Sequence, residues 1–169
     1  MLLDAYAGLL AHRPTAPRLV LAGGVPDSAD ALVRRTRERP LAGHIDLPGY
    51  VSESDKRALF DRALVFVLPS HTEGFGMPAV EAMAAGVPVI ATNSGALPES
   101  VGTAGRLVPP DDREALTQAL MDVLDAPALR QRMSDEGWHH VRQFTWAETA
   151  TRVREAWHLA VDHRAGRRA

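Results

Sequence analysis

The chain has 169 residues, 46% of them hydrophobic, which suits one ordinary domain with a full core. Its formal net charge is −2, so it has no overall positive field that would attract nucleic acid, and we expect no nucleic-acid partner. It contains no cysteine, which excludes disulfides, thiolate metal sites and a cysteine nucleophile and suits a reducing compartment.

Membrane and export signals are not found in the sequence. No stretch reaches the roughly 18 consecutive apolar residues that a spanning helix needs, and no basic segment precedes Leu2 and Leu3. We therefore expect neither an anchor nor a signal peptide, and a cytoplasmic location.

Short apolar runs bounded by glycine or proline alternate with segments of helical periodicity. The runs predict strands at residues 18–22, 45–47, 64–68, 87–91 and, less distinctly, 106–108. The intervening segments predict helices at residues 2–11, 29–37, 55–62, 77–85 and 112–124. Three further helical stretches are expected to follow. Pro127 opens one of them, and Thr145 with Glu148 forms a capping box for the last, at residues 146–161.

This alternation predicts an α/β fold, a Rossmann-like doubly wound parallel sheet whose ligands bind at the carboxyl ends of the strands. We expect one domain at residues 1–162, followed by a solvated basic tail at residues 163–169. The chain opens at Met1 on a helical pattern, whereas a doubly wound fold ordinarily opens on a strand with a phosphate-binding loop. We therefore expect the first strand of the domain to be missing from this chain.

Two glutamates stand out in an apolar part of the chain. Between residues 63 and 91, Glu73 and Glu81 are the only charged side chains, although 24% of all residues are charged. Burying a carboxylate without partners costs several kcal/mol, roughly. Either glutamate alone could cap a helix or pair with a distant arginine. Together, beside two glycines at the end of a predicted strand, they favour a ligand.

The residues between these glutamates support that interpretation. Gly74 and Gly76 would let the backbone approach a ligand closely. A helix starting at Met77 would offer unpaired N–H groups to a diphosphate or a sugar hydroxyl. The glycines alone would also fit a plain strand-to-helix turn, and we expect Phe75 between them to pack into the core.

Five motifs lie near the ends of the predicted strands: LAGG at 21–24, GYV at 49–51, SHTEGFGMPAVEAMAAGVPVIA at 70–91, GALPE at 95–99 and LVPPD at 107–111. They resemble the retaining glycosyltransferases of family 4, and the likeness extends over most of the chain. The resemblance implies a GT-B fold, in which two Rossmann-like domains face each other across a cleft. This chain is similar to the C-terminal domain, which binds a nucleotide diphosphate sugar.

The resemblance implies roles for single residues around the paired glutamates. Glu81 would accept hydrogen bonds from the two ribose hydroxyls of the donor. Glu73 would lie against the transferred sugar as catalytic support, and need not be a nucleophile. The main chain of Gly74, Phe75 and Gly76 would approach the donor.

Two further loops are implied in donor binding. Tyr50 and Val51 would meet the nucleobase, although Gly49, Tyr50 and Val51 could equally be a strand end. Gly23 and Gly24 would end a strand as a phosphate-binding loop does, although a Gly-Gly pair is more often a simple turn. No HExxH or other ligand spacing indicates a metal, so we expect no metal cofactor.

Two features of the resembled family are not matched. Its arginine and lysine that grip the donor diphosphate belong to the missing first strand and the helix after it, and Arg13, Arg18 and Lys56 lie in other contexts. The N-terminal domain, through which a glycan, lipid or small-molecule alcohol acceptor would bind, is also unmatched. The missing half could attach peripherally to a membrane. We expect the isolated chain to be inactive or nearly so, and to self-associate through apolar surface that the missing parts would cover.

Two functions therefore remain open. The complete protein could transfer a hexose, of mannose or glucose type, from the donor to an acceptor hydroxyl with retention. Alternatively, the chain could be a non-catalytic nucleotide-sugar binding module that works only with a partner supplying the acceptor domain. The base, the sugar and the acceptor are not specified by the motifs.

Overall fold

The computed structural model describes residues 1–24 and 30–166, which contain five strands and eight helices. The strands are β1 (Leu19–Ala22), β2 (Ile45–Gly49), β3 (Phe66–Leu68), β4 (Val89–Thr92) and β5 (Arg106–Val108). The helices are α1 (Leu2–His12), α2 (Asp30–Thr36), α3 (Glu53–Phe60), α4 (Met77–Ala84), α5 (Leu97–Val101), α6 (Arg113–Asp125), α7 (Pro127–Val141) and α8 (Trp146–Gly166). None of these helices is both long enough and apolar enough to cross a membrane.

All strand pairings in the described residues are parallel, which confirms the predicted α/β class. β1 pairs with β2, and β3, β4 and β5 form a second sheet in that order. No ladder joins β1 to β3. In the doubly wound strand order 3-2-1-4-5-6, removing strand 1 leaves a pair, 3-2, and a group of three, 4-5-6. The two sheets of this chain are likewise a pair of strands and a group of three. Parallel strands place their carboxyl ends at one edge, so the loops that follow β3, β4 and β5 are neighbours.

The core lies between the strands and the helices that cover them. Every residue of β4 is buried, as expected for a central parallel strand. Helix α1 buries Ala5, Tyr6, Leu9 and Leu10 in the cluster that also contains the buried face of α6. The Tyr6 hydroxyl donates to the carbonyl oxygens of Pro17 at 2.8 Å and His44 at 3.2 Å, and burial raises the pKa of this phenol. A second cluster lies beneath α4 and α5.

Helix boundaries follow local capping more closely than the apolar pattern. Ser52 accepts a hydrogen bond from the Asp55 N–H at 3.1 Å, and α3 therefore begins at Glu53, two residues before the predicted start. Helix α5 was not predicted, because its five residues are too few to show a period.

The prediction of three helices after residue 124 was wrong, because residues 125–166 of the described chain contain two, α7 and α8, apart from the last residue of α6. Helix α7 continues through Gly137, although glycine weakens helices. A Cβ at Gly137 would lie 3.2 Å from Cγ of Met83, so this glycine allows α7 to pack closely on α4.

Helix α8 starts at Trp146 as predicted, but its cap is only half of a capping box. The Thr145 hydroxyl accepts from the Glu148 N–H at 3.2 Å, while the Glu148 carboxylate pairs with Arg152 at 2.9 Å. The helix runs to Gly166, beyond the predicted end at residue 161. The predicted solvated tail therefore starts within helical backbone, and residues 167–169 lie outside the described part of the chain.

Candidate functional site

The loop between β3 and α4 carries Glu73 at the carboxyl edge of the sheet. Its side chain is half-buried, and its Oε1 accepts a hydrogen bond from the Ser70 hydroxyl at 2.9 Å. No other hydrogen bond to this carboxylate is present among the described residues. One oxygen of Glu73 is therefore oriented by the protein, and the other remains available to a ligand.

This loop is attached to the end of the neighbouring strand β4. The Ala96 N–H donates to the Glu73 carbonyl oxygen at 3.1 Å. The hydroxyls of Thr92 and Ser94 donate to the carbonyl oxygens of Ser70 and His71. These three hydrogen bonds attach the Glu73 loop to the end of β4 and to the turn that follows β4. The position of Glu73 therefore depends on residues about twenty places later in the chain.

The glycines of the loop have different structural roles. Gly76 is buried, has φ +82° and caps α4, and a Cβ there would lie 2.6 Å from Cδ2 of Leu97. Gly74 is exposed, with open space around it. The expectation that Phe75 packs into the core was wrong in part. Its ring stays partly exposed and contacts the ring of Phe144 edge-on, with centroids 5.3 Å apart.

Glu81 lies in the second turn of α4 and is partnered by a residue that the sequence motifs did not single out. The Glu81 side chain is 37% exposed, and its Oε2 lies 3.1 Å from Nζ of Lys56 in α3. Lys56 also lies 2.8 Å from Oε2 of Glu53. Two hydrogen bonds raise the pKa of the Lys56 ammonium, the larger effect coming from Glu53 and the smaller from Glu81. Lys56 does not match a phosphate-gripping position of the family, but it is the only lysine in the sequence, and that is a signal by which it could have been found.

The loops after β1 and β2 lie side by side. The Gly23 N–H donates to the Gly49 carbonyl oxygen at 2.8 Å. Tyr50 is 87% exposed, so its side chain projects into solvent, whereas the side chain of Val51 is half-buried. Gly24 is exposed, and the chain that follows it, residues 25–29, lies outside the described residues.

The contact between Lys56 and Glu81 brings the helix that follows the Tyr50 and Val51 loop against the helix that follows the Glu73 loop. Helix α3 follows the loop at Tyr50 and Val51, and α4 follows the loop at Glu73, so the contact joins the early turns of two helices at the strand ends. The predicted site residues therefore lie on loops and helix starts that all follow strand carboxyl ends, where doubly wound sheets bind ligands.

Comparison with known proteins identifies the family. A sequence model described as "Glycosyl transferases group 1" matches residues 1–140. The chain belongs to this family of glycosyltransferases. Over 158 residues it is 34% identical to the O-antigen chain mannosyltransferase B of Escherichia coli, which covers 94% of this chain and 42% of that protein. The chain thus spans less than half the length of this curated relative.

Solved structures show the same fold. The sucrose-phosphate synthase of Thermosynechococcus elongatus superposes with a TM-score of 0.79 and 28% identity, over 95% of this chain and 42% of that one. The C-terminal domain of a glycosyl transferase group 1 family protein from Francisella tularensis superposes with a TM-score of 0.71 and 29% identity, over 85% of this chain and 76% of that one. The α/β fold with parallel sheets is thus similar to the C-terminal domains of GT-B glycosyltransferases.

This group 1 glycosyltransferase domain has a second contact near Glu73 that the motifs did not predict. Nε2 of His71 lies 3.3 Å from Oδ1 of Asp111, which follows β5 and has φ +60°. A left-handed conformation is uncommon for a residue with a side chain, although aspartate tolerates it better than most. The pair joins the loops after β3 and β5. No local pattern in the sequence connects these two residues, which are forty positions apart.

The candidate site is built from carboxylates, hydroxyls and main chain. Among the described residues, no group of three or more histidine, aspartate or glutamate side chains is placed to hold a metal ion. Carboxylate oxygens are acceptors without donors, so the open oxygens of Glu73 and Glu81 suit ligands that present hydroxyl groups. The arrangement is therefore suited to a polyhydroxylated ligand lying across the strand ends.

Proposed function

We propose that this chain is the donor-binding domain of a retaining glycosyltransferase of family 4 and binds a nucleotide diphosphate sugar. The observation that carries the proposal is the placement of two partly exposed carboxylates, Glu73 and Glu81, on either side of the Gly74–Gly76 turn at the strand ends. The family membership of the chain supports it.

Glu81 binds the ribose in this proposal. Two oxygens of one carboxylate can accept charge-assisted hydrogen bonds from the two hydroxyls of a vicinal diol. A glutamine has one acceptor oxygen in place of two and no charge, so it would hold a diol less well. Among the described residues, Lys56 is the only hydrogen-bond partner of the Glu81 carboxylate, which leaves Oε1 open for a ribose hydroxyl.

Glu73 supports the transferred sugar. Its oxygen that is not bound by Ser70 accepts a sugar hydroxyl, and its negative charge stabilises the positive charge that develops at the anomeric carbon. The other carboxylate of the pair is used by the ribose, so the two do not flank the glycosidic bond as in a hydrolase with two carboxylates. Glu73 therefore acts without forming a covalent bond in this account.

The remaining loops bind the rest of the donor. Tyr50 and Val51 lie beside the nucleobase, and the main chain of Gly23 and Gly24 lies toward the phosphates or the sugar, beside the Gly74–Gly76 turn with Phe75 at its centre. A mannosyl or glucosyl donor is the proposed class, and the likeness to a mannosyltransferase supports the first of these. No metal cofactor is part of the proposal.

The complete protein transfers the hexose to an acceptor hydroxyl of a glycan, a lipid or a small-molecule alcohol. An N-terminal domain binds this acceptor in the proposal and completes the cleft in the cytoplasm. The groups that stabilise the leaving diphosphate are commonly the largest contribution to catalysis. Without them, we expect the 169-residue chain to turn over a nucleotide sugar far below an ordinary enzymatic rate.

Calorimetric titration tests donor binding by this chain. The wild-type protein is titrated with UDP-, GDP- and ADP-sugars without acceptor, beside Glu81→Gln and the control Glu99→Gln, an exposed glutamate in α5. We expect saturable binding of one nucleotide class, weakened at least tenfold, roughly, by Glu81→Gln and unchanged by Glu99→Gln. Equal effects of both substitutions, or no binding of any class to the folded wild type, would contradict the proposal.

A further inference from the structure

Lys56 is the only lysine of the chain, and its ammonium group lies between two carboxylates. Its Nζ is 3.1 Å from Oε2 of Glu81 and 2.8 Å from Oε2 of Glu53. The side chains of Lys56 and Glu81 are 31% and 37% exposed, whereas that of Glu53 is 86% exposed. The bond to Glu81 is therefore the more sheltered of the two, and it is the one that a ligand on Glu81 would cover.

A ligand that covers Glu81 removes water from its carboxylate, and a carboxylate without a partner is costly to bury. Lys56 supplies the opposite charge at this point. Its bond to Oε2 leaves Oε1, and one further acceptor position on Oε2, free for hydroxyl donors. The same ammonium also binds Glu53 in α3, so two carboxylates fix its position. The Lys56 side chain therefore points toward these carboxylates and is not free to bind an anion.

We propose that Lys56 is a positioning residue for the ribose of the donor. It compensates the charge of Glu81 and orients the carboxylate so that both ribose hydroxyls donate to it. This inference rests on the proposed function, since it concerns the same carboxylate. A lysine that gripped the diphosphate would strengthen the binding of every nucleoside diphosphate, whatever its sugar. Discrimination between ribose and 2′-deoxyribose therefore separates the two roles.

The contact itself can be tested in the free protein. Selective labelling with ¹⁵N-lysine gives one side-chain signal, because the chain contains a single lysine. Both acidic partners raise the pKa of Lys56, so Glu81→Gln and Glu53→Gln should each move the titration of this signal to lower pH. A titration that Glu81→Gln leaves unchanged would overturn the inference before any ligand is added.

The role in binding is tested with Lys56→Met and a matched control, Arg57→Met, which changes an exposed cation on the same helix. Each variant is titrated with UDP, GDP and ADP and with the corresponding 2′-deoxynucleoside diphosphates. For the nucleotide that the wild type binds, we expect a preference for ribose of about tenfold, reduced to about twofold in Lys56→Met and kept in Arg57→Met. Lys56→Arg should restore most of the preference.

The outcomes separate the positioning role of Lys56 from donor binding by the domain. If Lys56→Met weakens the ribose and deoxyribose forms equally, Lys56 does not position the ribose and the inference fails, while the donor site stands. If the folded wild type binds no nucleoside diphosphate, the proposed function fails as well. Circular dichroism shows whether Lys56→Met is folded. If it is not folded, the ribose preference is measured on Lys56→Arg.

Discussion

The backbone of Glu73 occupies the space where a side chain at Gly95 would begin: a Cβ built on Gly95 would lie 2.8 Å from both the nitrogen and the carbonyl oxygen of Glu73. Gly95 has φ +57° and belongs to the turn after β4 that holds the Glu73 loop. The absence of a side chain at Gly95 therefore gives the Glu73 backbone the space that it occupies.

We predict that Gly95→Ala moves the Glu73 loop. The matched control is Gly43→Ala, because Gly43 also has a positive φ, +82°, but has open space where the Cβ would be. The control should lose about 1 kcal/mol of unfolding free energy from backbone strain alone, and Gly95→Ala about 3 kcal/mol, since it adds a clash. Urea denaturation measures both. Equal losses would show that the contact is not tight in solution.

The two tyrosines of the chain provide a second matched pair. Tyr6→Phe removes the hydroxyl that donates to Pro17 and His44. The His44 carbonyl oxygen keeps a bond from the Leu19 N–H at 3.0 Å, so mainly the Pro17 carbonyl loses its partner. We expect a loss of about 1 to 2 kcal/mol, against almost none for Tyr50→Phe at the exposed position. Thermal or urea unfolding that ranks the two substitutions the other way would contradict the burial of Tyr6.

Alkaline pH should destabilise the wild type more than Tyr6→Phe. Burial raises the pKa of the Tyr6 phenol in the folded protein. Near and above the unfolded value of about 10, the folded state therefore binds more protons than the unfolded state, and stability falls as pH rises. Lys56 has a raised pKa as well, but both proteins retain it, so their difference isolates the phenol. The measurement is unfolding free energy from pH 8 to pH 11, and parallel curves for the two proteins would contradict this prediction.

Helix α8 exposes an apolar stripe that should cause self-association. Trp146, Val153, Trp157 and Val161 are all exposed, and their spacing places them on one face of the helix. Leu159, 72% exposed, lies on the opposite face and gives the control. By light scattering we expect the wild type and Leu159→Glu to associate and Trp157→Glu to associate much less. A monomeric wild type at high concentration would contradict the prediction.

Local patterns in the sequence were sufficient for the strands, but they missed helix α5 and predicted one helix too many after α6. Apolar runs bounded by glycine and proline predicted all five strands, because a buried parallel strand leaves a short continuous signal. The Glu73 loop was found from two carboxylates in an apolar region. Helix α7 continues through Gly137, where a Cβ would lie 3.2 Å from Cγ of Met83, and this close packing between helices leaves no local pattern in the sequence.

Contacts between distant elements were beyond a reading of local pattern. Lys56 and Glu81 lie on different helices, and His71 and Asp111 follow different strands. Each pair is formed by the packing of the sheet and its helices, and no spacing along the chain records it. The sequence identified the carboxylates of the candidate site, but their partners became visible only in three dimensions.

A crystal structure of this chain with the nucleoside diphosphate that it binds best would show directly whether Glu81 binds the ribose. We predict that both ribose hydroxyls lie within hydrogen-bond distance of the Glu81 carboxylate, with the base beside Val51 and the diphosphate directed toward the Gly74–Gly76 turn. A nucleotide bound elsewhere on the domain, or one whose ribose points away from Glu81, would contradict it.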